Sequence, residues 1–327
     1  TARGTALTKL LDKSSDTDKP YDIIVPVSGG KDGSYVAYQL KHKYNLRPLC
    51  VTVRPPLETD IGVKNLRNFI DSGYDHISIN LDPVLLKKIN KSGFMNHGFP
   101  YFGWLVAINT AVARIAEQFN VELIMYGEDG EMEYGGTSEK ASMETFDMEF
   151  IKRVGHEAGF ERVFGPLNIE SKKLYWYTFP EPVKFQPKFA HWSYFENWDP
   201  YRNYLVAKEF CGLQEAAASN SGTFTNFAQN DQYLYILHTY LMYLKYGFGR
   251  ANQDACIDIR RGAMDREQAI NLVKLFDGNY PHDSIELYLD YYQLNKKEFD
   301  SIIDKWANKD ILVKDSDGIW KRNFEIE

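Results

Sequence analysis

The chain has 327 residues, which is enough for one large domain or two modest ones with a substantial apolar core. Its formal net charge of -7 argues against a nucleic-acid backbone as the main partner, because binding such a backbone requires a basic surface. No apolar run is long enough to span a bilayer, and residues 1–20 show no signal-peptide pattern. We therefore expect no membrane insertion and a cytoplasmic location.

The three cysteines, Cys50, Cys211 and Cys256, are widely separated and lie in apolar contexts. This pattern indicates reduced core residues of a cytoplasmic protein, and neither a disulfide framework nor a zinc site is expected from them.

The first predicted strand is the apolar run Ile23–Val27, and an amphipathic segment at Tyr35–Tyr44 predicts the first long helix. Before them, Ala6–Leu11 could form one or two helical turns. Between strand and helix lies Ser28–Ser34, with the sequence SGGKDGS. Successive glycines allow the backbone to form a concave nest of N–H donors, and the N-terminus of the next helix adds donors and a partial positive charge. The stretch therefore predicts a phosphate-binding loop.

Polar side chains in this stretch add to the backbone donors. Ser28 and Ser34 offer hydroxyl groups, and Lys31 offers a mobile cation. The stretch matches neither the nucleoside-triphosphate loop G-x-x-x-x-G-K-[ST] nor the dinucleotide fingerprint G-x-G-x-x-G. A glycine-rich turn that binds nothing is the alternative, but the order of strand, double glycine, Asp32 and helix favours phosphate binding.

Further along the chain, strand patterns alternate with helix patterns. The predicted strands are Leu49–Val53, His76–Asn80 and Val121–Tyr126, and the predicted helices are Ile61–Ser72, Leu81–Asn90 and Trp104–Phe119. This alternation predicts an α/β fold with a doubly wound parallel sheet covered on both faces. Ligands of such sheets bind at the carboxyl ends of the strands, where Ser28–Ser34 and Gly127–Gly136 both lie.

The second loop at this edge, Tyr126–Gly136, is acidic. Its carboxylates are Glu128, Asp129, Glu131 and Glu133. A solvated acidic turn is one interpretation. The other is a Mg²⁺ site, because Mg²⁺ takes one or two carboxylates together with phosphate oxygens and waters. We expect Asp32 and Glu128 to be its ligands.

The second half of the chain is predicted to be mainly helical. The helices are expected at Asp231–Tyr246, Asp265–Phe276, Ser284–Tyr292 and Lys296–Ala307, followed by a hairpin at Ile311–Val313 and Ile319–Lys321. His238 lies between two leucines of the first helix, which favours a packed core residue over a catalytic one. The expected division is a linker at 1–20, an α/β domain at 21–165 and an aromatic-rich helical domain at 166–327 for substrate or assembly.

Two groups of side chains in this half have open interpretations. Arg250, Arg260 and Arg261 could form surface ion pairs with neighbouring aspartates, or a guanidinium fork for a carboxylate or diphosphate on a substrate. Trp198, in the aromatic segment, could stack on a sugar ring or pack in the core.

The loop resembles the SGGxDS pyrophosphate loop of the PP-loop ATP pyrophosphatases, which split ATP into AMP and pyrophosphate. One position differs, because the family usually has Ser directly after the Asp, where this chain has Gly33 and then Ser34. Either Ser34 supplies the hydroxyl or the backbone suffices. The ordered set SGGKD, YGE, EYGG, WDPY and FGRANQDACIDIRRGAMDREQAI resembles the N-acetyl sugar amidotransferases, which serve bacterial O-antigen, capsule or flagellar glycan synthesis.

This resemblance implies a Rossmann-like (HUP-type) PP-loop fold, ATP and Mg²⁺ as cofactors, and an adenylation reaction. The acetamido oxygen of an N-acetyl sugar attacks ATP, pyrophosphate leaves, and ammonia then displaces AMP to give an acetamidino sugar. The implied catalytic residues are Lys31, Asp32 and Glu128. The implied nucleotide contacts are Val27, Ser28, Gly29, Gly30, Lys31, Asp32, Gly33, Ser34 and Val53. The implied sugar contacts are Tyr134, Gly135, Gly136, Trp198, Arg260 and Arg261.

The resemblance also implies partners. The sugar would be nucleotide-linked or a nonulosonic acid, and ammonia would come from a separate glutaminase subunit, with a cyclase-like barrel as a further partner and a homodimer as one assembly option. Family members usually begin with a short cysteine-rich, zinc-binding segment, which is absent here. We therefore expect a trimmed N-terminus and no metal of that type.

Three other functions stay open at this stage. A tRNA thiolase would need a reactive cysteine and a basic face, and an NAD synthetase-type ligase would use the same loop. A non-catalytic ATP-binding scaffold for a glycan-synthesis complex is the third.

Overall fold

The computed structural model describes residues 1–15, 18–127, 143–181 and 185–327. The strands are β1 (Ile23–Pro26), β2 (Pro48–Val53), β3 (His76–Ile79), β4 (Leu123–Tyr126), β5 (Lys188–His191), β6 (Leu312–Lys314) and β7 (Trp320–Arg322). The helices are α1 (Ala2–Ser14), α2 (Lys31–Tyr38), α3 (Asp60–Asp71), α4 (Pro83–His97), α5 (Phe102–Gln118), α6 (Met148–Ile151), α7 (Glu157–Phe164), α8 (Trp192–Phe195), α9 (Pro200–Cys211), α10 (Leu234–Tyr246), α11 (Arg250–Arg260), α12 (Arg266–Phe276), α13 (Ile285–Tyr292) and α14 (Lys296–Trp306). Short π-helical segments lie at Gln39–Lys43 and Lys152–His156, and 3-10 segments at Gly165–Leu167, Ser171–Tyr177 and His282–Ser284.

The main sheet has five parallel strands in the order β3-β2-β1-β4-β5. The chain runs from β1 outward through β2 to β3 and then crosses to the other side of β1, so the strand order switches between β1 and β4. This topology confirms the predicted doubly wound α/β fold. β5 was not predicted, and it carries the sheet beyond residue 165, where the sequence analysis ends the first domain.

Alternate residues of the central strands enter two separate cores. Ile24 and Val51 pack on the face covered by α4 and α5, whereas Ile23, Val25 and Cys50 pack on the face covered by α2 and α3. All residues of β2 are buried. Burial on both faces explains why these strands are continuous apolar runs in the sequence.

Helix α2 begins at Lys31, four residues earlier than the predicted Tyr35–Tyr44. Gly29 has a φ of 82° and completes the turn after β1, and Gly30 is the N-cap without a side-chain capping hydrogen bond among the described residues. The second half of the SGGKDGS stretch therefore forms the first turn of the helix instead of a loop. Helices α1 and α4 are also longer than predicted, the latter because Asp82 caps it and Pro83 starts it.

The second half is mainly helical, as predicted. Helix α9 packs along α2, Asp265 and Gln268 form the expected capping box, and the terminal hairpin pairs β6 with β7. Within the described ranges, no helix is long and apolar enough to cross a membrane.

Candidate active site

A cavity of about 560 Å³ lies at the carboxyl edge of the sheet, at the switch between β1 and β4. This volume is in the range of small-molecule sites. One wall is the stretch after β1, another is apolar and comes from β2 and α5, and the third comes from the segment 227–253. The residues used below are Val27, Ser28, Gly30, Lys31, Asp32, Gly33, Val53, Trp104, Ala228, Asp231, Tyr235, His238, Arg250 and Gln253.

Steric contacts fix the backbone of the phosphate loop. A Cβ on Gly29 would lie 2.3 Å from the backbone nitrogen of Leu66, and its positive φ also disfavours a side chain. A Cβ on Gly33 would lie 2.9 Å from the carbonyl oxygen of Pro26. The close packing of α2 on β1 therefore explains why Gly33 stands where the resembling family usually has Ser.

Ser34 does not supply the missing hydroxyl to the cavity. Its side chain is completely buried, and its hydroxyl has no hydrogen-bond partner among the described residues. The carbonyl of Ser34 instead faces the Cys211 thiol of α9. The resembling family usually has a Ser hydroxyl at position 33. This arrangement favours the interpretation in which the backbone at Gly33 is sufficient without that hydroxyl.

Lys31 and Asp32 form a nearly buried ion pair at the cavity. The Asn203 side chain, which is completely buried, donates a hydrogen bond to Asp32 Oδ1 at 3.0 Å. Arg202 in turn donates to Asn203 Oδ1 at 3.0 Å. Helix α9 thus fixes the orientation of the Asp32 carboxylate. Sequence reasoning missed Asn203, because its partner lies far away in the chain.

Asp231 lies on the wall formed by residues 227–253, next to the loop. Its carboxylate accepts a hydrogen bond from the Ser28 hydroxyl, and the Tyr235 hydroxyl lies 3.5 Å from Oδ2. Burial raises the pKa of Asp231 to about 6, and the charge of Glu58 adds to this, while the hydrogen bonds oppose it. From the sequence, Asp231 is predicted only as the start of a helix. The structure shows that Asp231 lies next to the loop, and the sequence does not predict this contact.

His238 packs in an aromatic setting but also faces the cavity. Its ring lies 4.6 Å from that of Phe99 and 5.2 Å from that of Tyr101. Nδ1 has no hydrogen-bond partner among the described residues. Burial lowers the pKa of His238 to about 3, with help from the charges of Lys245 and Arg250, so the ring is neutral. The predicted core packing is therefore combined with a position on the cavity wall.

The apolar wall includes the end of β2. The side chain of Val53 lines the cavity, but its carbonyl accepts a hydrogen bond from the Trp104 indole at 2.9 Å. Cys50 is buried in the opposite core and does not line the cavity.

A second cavity of about 220 Å³ adjoins the first, and the two share Lys31, Phe227, Ala228 and Arg250. Arg261 lines it and pairs with Asp258 at 2.7 Å and with Asp199 at 3.5 Å. Arg250 is buried and pairs with Asp254 at 2.8 Å.

The remaining predicted residues lie elsewhere. Arg260 is exposed and lines neither cavity, and Trp198 is half-buried against the core that includes α2. Glu128 and the sugar contacts Tyr134, Gly135 and Gly136 lie outside the described residues.

Two of the three cysteines, Cys50 and Cys211, are not activated. Cys50 and Cys211 are buried, which raises the pKa of both thiols, that of Cys211 to about 11. Among the described residues, no group of three or more His, Cys, Asp or Glu side chains could hold a metal ion.

The fold and the cavity define an α/β protein in which the SGGKDGS stretch and the helical C-terminal region line one cavity. Residues 221–325 match the family described as "LPS biosynthesis protein WbpG-like, C-terminal domain". This match covers about a third of the chain, and it agrees with the resemblance to a surface-glycan biosynthesis family that the sequence motifs indicate.

Two further comparisons add little about function. None of the curated proteins compared with the chain matches it. Among solved structures, the chain is similar to the U34-tRNA thiolase NcsA from Methanococcus maripaludis with its [4Fe-4S] cluster, at 11% identity over 93% of this chain and 78% of that chain. The TM-score is 0.33, and a likeness this distant carries no argument.

Proposed function

We propose that the protein is an ATP-dependent amidotransferase that converts the acetamido group of an N-acetyl sugar into an acetamidino group for lipopolysaccharide or related surface-glycan synthesis. One observation carries this proposal. The predicted phosphate loop and residues of the matched lipopolysaccharide-family region line the same cavity. A nucleotide bound at the loop would therefore have its phosphates next to groups supplied by the glycan-family region.

The loop wall supports ATP as the nucleotide. The N-terminus of α2, with Gly30 as its N-cap, opens on the cavity and favours an anion. Lys31 would exchange its contact with Asp32 for the phosphates and offset the charge that develops on pyrophosphate as it leaves. The adenine base would contact the apolar wall of Val53 and Trp104.

The described residues fit a Mg²⁺ ion that is held mainly by phosphate oxygens. Asp32 lines the cavity, and its orientation is fixed by Asn203, so it can serve as a carboxylate ligand. Glu128 is the proposed second ligand. When bound, the ion would neutralise part of the triphosphate charge.

The wall formed by residues 227–253 supports a sugar substrate. His238 offers a neutral ring nitrogen, Gln253 an amide and Arg250 a guanidinium group at this wall. Such a mixture of donors and acceptors suits sugar hydroxyl groups. Arg261 in the second cavity is a proposed contact for an acidic group on the sugar, and Trp198, Arg260 and Tyr134–Gly136 stay proposed contacts as well.

The chemistry follows from the poor reactivity of an amide carbonyl. The acetamido oxygen attacks the α-phosphorus of ATP, an O–P bond forms, and the bond to pyrophosphate breaks. Ammonia then forms a C–N bond to the activated carbon, and AMP leaves with the former acetamido oxygen. Because the buried thiols of Cys50 and Cys211 are poor nucleophiles, we propose that a separate glutaminase subunit supplies the ammonia.

The test is a reaction with ATP, Mg²⁺, ammonium and a panel of N-acetylated sugars whose acetamido oxygen is labelled with ¹⁸O. We expect replacement of oxygen by NH in one sugar by mass spectrometry, release of pyrophosphate, and ¹⁸O in the AMP. Lys31→Ala should lower the rate by about 10²–10³-fold, since a charge-stabilising group of the transition state is lost. Lys208→Ala removes an exposed lysine that also pairs with a carboxylate, and it should leave the rate unchanged.

Other outcomes would reject the proposal. Formation of ADP and phosphate, or AMP without the label, would exclude attack by the acetamido oxygen. AMP and pyrophosphate with nicotinic acid adenine dinucleotide or a tRNA as acceptor would favour an NAD synthetase-type ligase or a thiolase. ATP binding without turnover by any acceptor would favour a scaffold.

A further inference from the structure

Asp231 has no part in the reaction as described so far, although it lies on the cavity wall next to the loop. Asp32 and Asp231 are the two carboxylates among the described residues that line the main cavity. Asp32 is engaged by Lys31 and Asn203, whereas the side-chain partners of Asp231 are the hydroxyl groups of Ser28 and Tyr235. The two acids therefore have different environments and are suited to different tasks.

The backbone around Asp231 is fixed by helix α3. The Thr59 N–H donates to the Asp231 carbonyl at 3.2 Å, and Thr59 also caps α3. A Cβ on Gly62 would lie 2.5 Å from Asp231 Cα, so a glycine is needed for this contact. The carboxylate is thus held in place before any substrate binds, as a group that acts on reacting atoms must be.

The ammonia step of the proposed reaction, on which this inference rests, releases one proton. The nitrogen lone pair forms the C–N bond, and the new C–NH₃⁺ group must lose a proton. The C–O bond then breaks, and AMP takes its electron pair. The product is an amidinium cation, whose planar pair of N–H groups matches a carboxylate in the same way that a guanidinium does.

We propose that Asp231 accepts this proton and then pairs with the amidinium product, so that it serves the ammonia step and not the adenylation step. Between these two events the proton passes to solvent, because only the ionised carboxylate can pair with the amidinium cation. Asp231 is the cavity carboxylate that does not contact the Lys31 side chain, so it is available for a cation.

The electrostatic surroundings of Asp231 support this role. Desolvation and the charge of Glu58 raise its pKa to about 6, in the range where a general base operates well at neutral pH. His238 on the same wall has a pKa near 3 and is a much weaker base. The hydroxyl groups of Ser28 and Tyr235 leave the carboxylate ionised at neutral pH while orienting it.

The two half-reactions can be measured separately in Asp231→Asn. Exchange of labelled pyrophosphate into ATP, with the sugar present and ammonium absent, reports adenylation. Formation of the acetamidino sugar with ammonium present reports the whole reaction. We expect exchange within about threefold of wild type and amidine formation lowered by about 10²–10⁴-fold. Asp300→Asn removes an exposed acid of the same region and should change neither rate.

Three results would overturn the inference. Equal loss of both rates in Asp231→Asn would assign the acid to nucleotide or metal binding, and retention of both would show that it has no chemical role. Wild-type protein without exchange or amidine formation would reject the proposed function itself and this inference with it. These outcomes are distinguishable because the wild type is measured in both assays.

A pH profile provides a second test that does not require Asp231→Asn to fold. At a constant concentration of free NH₃, amidine formation by the wild type should rise with pH through the pKa of Asp231 and then level off. Glu58→Gln removes a charge that raises this pKa, so its profile should shift to lower pH. An unshifted profile would contradict the assignment.

Discussion

The two polar walls of the main cavity position their ligand-binding groups in different ways, one through the backbone and the other through side chains. The loop wall depends on backbone geometry, since Gly29 and Gly33 leave no space for a side chain and the N-terminus of α2 supplies the donors. The wall formed by residues 227–253 depends on side chains, namely Asp231, His238 and Arg250, each buried or held by partners. We infer that the loop wall is adapted to phosphate, which is common to many enzymes, and that substrate choice lies in the other wall.

Gly29→Ala tests the claim that backbone geometry controls the loop wall, and it should have the largest effect. The added Cβ would clash with the backbone of α3 and would also be forced into a left-handed conformation. We expect a loss of about 3 kcal/mol or more in the free energy of unfolding, measured by urea denaturation.

Gly30→Ala is the matched control. Gly30 has a φ of -75°, and a Cβ there would lie 3.4 Å from Ser28 Oγ, an ordinary contact. Its stability should stay within about 1 kcal/mol of wild type, because Gly-to-Ala changes at compatible positions are small. If the two variants were equally stable, the steric account of the loop would be wrong.

The same comparison shows which features the sequence could predict. The loop was recognised because its donors belong to a contiguous run of residues between a buried strand and an amphipathic segment. The α/β fold followed from the alternation of such patterns. The start of α2 was misplaced, because the turn at Gly29 depends on its close contact with α3, which the local pattern does not contain.

The side-chain wall could not be predicted in this way. Asn203 and Asp32 are separated by 171 positions in the chain, and Ser28 and Asp231 are comparably distant. A pattern of neighbouring residues in the sequence cannot predict a contact between positions this far apart. The sequence carries an indirect signal for this wall. The Asp199-Pro200 start of α9 and the polar run before α10 mark places where the chain turns toward the cavity.

Asp231→Asn also tests whether the buried carboxylate of the side-chain wall lowers the free energy of unfolding at neutral pH. The folded pKa is raised from 3.8 to about 6, so folding favours the protonated form. This contribution to stability is complete below about pH 4 and is lost as the pH rises through about 6. At pH 7.5 we therefore expect the variant to be more stable than wild type by about 3 kcal/mol in thermal or urea unfolding.

The difference between the two proteins should shrink as the pH is lowered from 7.5 to 4.5, because wild-type Asp231 then becomes protonated. A variant that is less stable than wild type at pH 7.5 would show that the hydrogen bonds from Ser28 and Tyr235 outweigh the desolvation of the carboxylate.

Asn203→Ala should have an intermediate effect, because Asn203 orients Asp32 without lining the main cavity itself. We expect pyrophosphate exchange to fall by about tenfold, the scale of effects seen when a supporting group of a ligand is removed. If Asp32 contributes to nucleotide binding, the KM for MgATP should rise as the rate of exchange falls. Asn279→Ala, which removes an exposed amide that bonds to the carbonyl of Leu275, is the control and should leave exchange unchanged.

Arg261→Ala should have the smallest effect and decides between the two interpretations that the sequence left open. Arg261 lines the second cavity, but Asp258 and Asp199 already offset its charge. If it contacts an acidic group on the sugar, its loss should raise the KM for an acidic sugar about threefold, with kcat unchanged, because a part-exposed ion pair contributes at most about 1 kcal/mol. The exposed Arg260 lines neither cavity, so Arg260→Ala should raise KM less. Equal effects of the two substitutions would assign both residues to surface pairing, and the recognition of the sugar would then rest on the wall that holds Asp231 and His238.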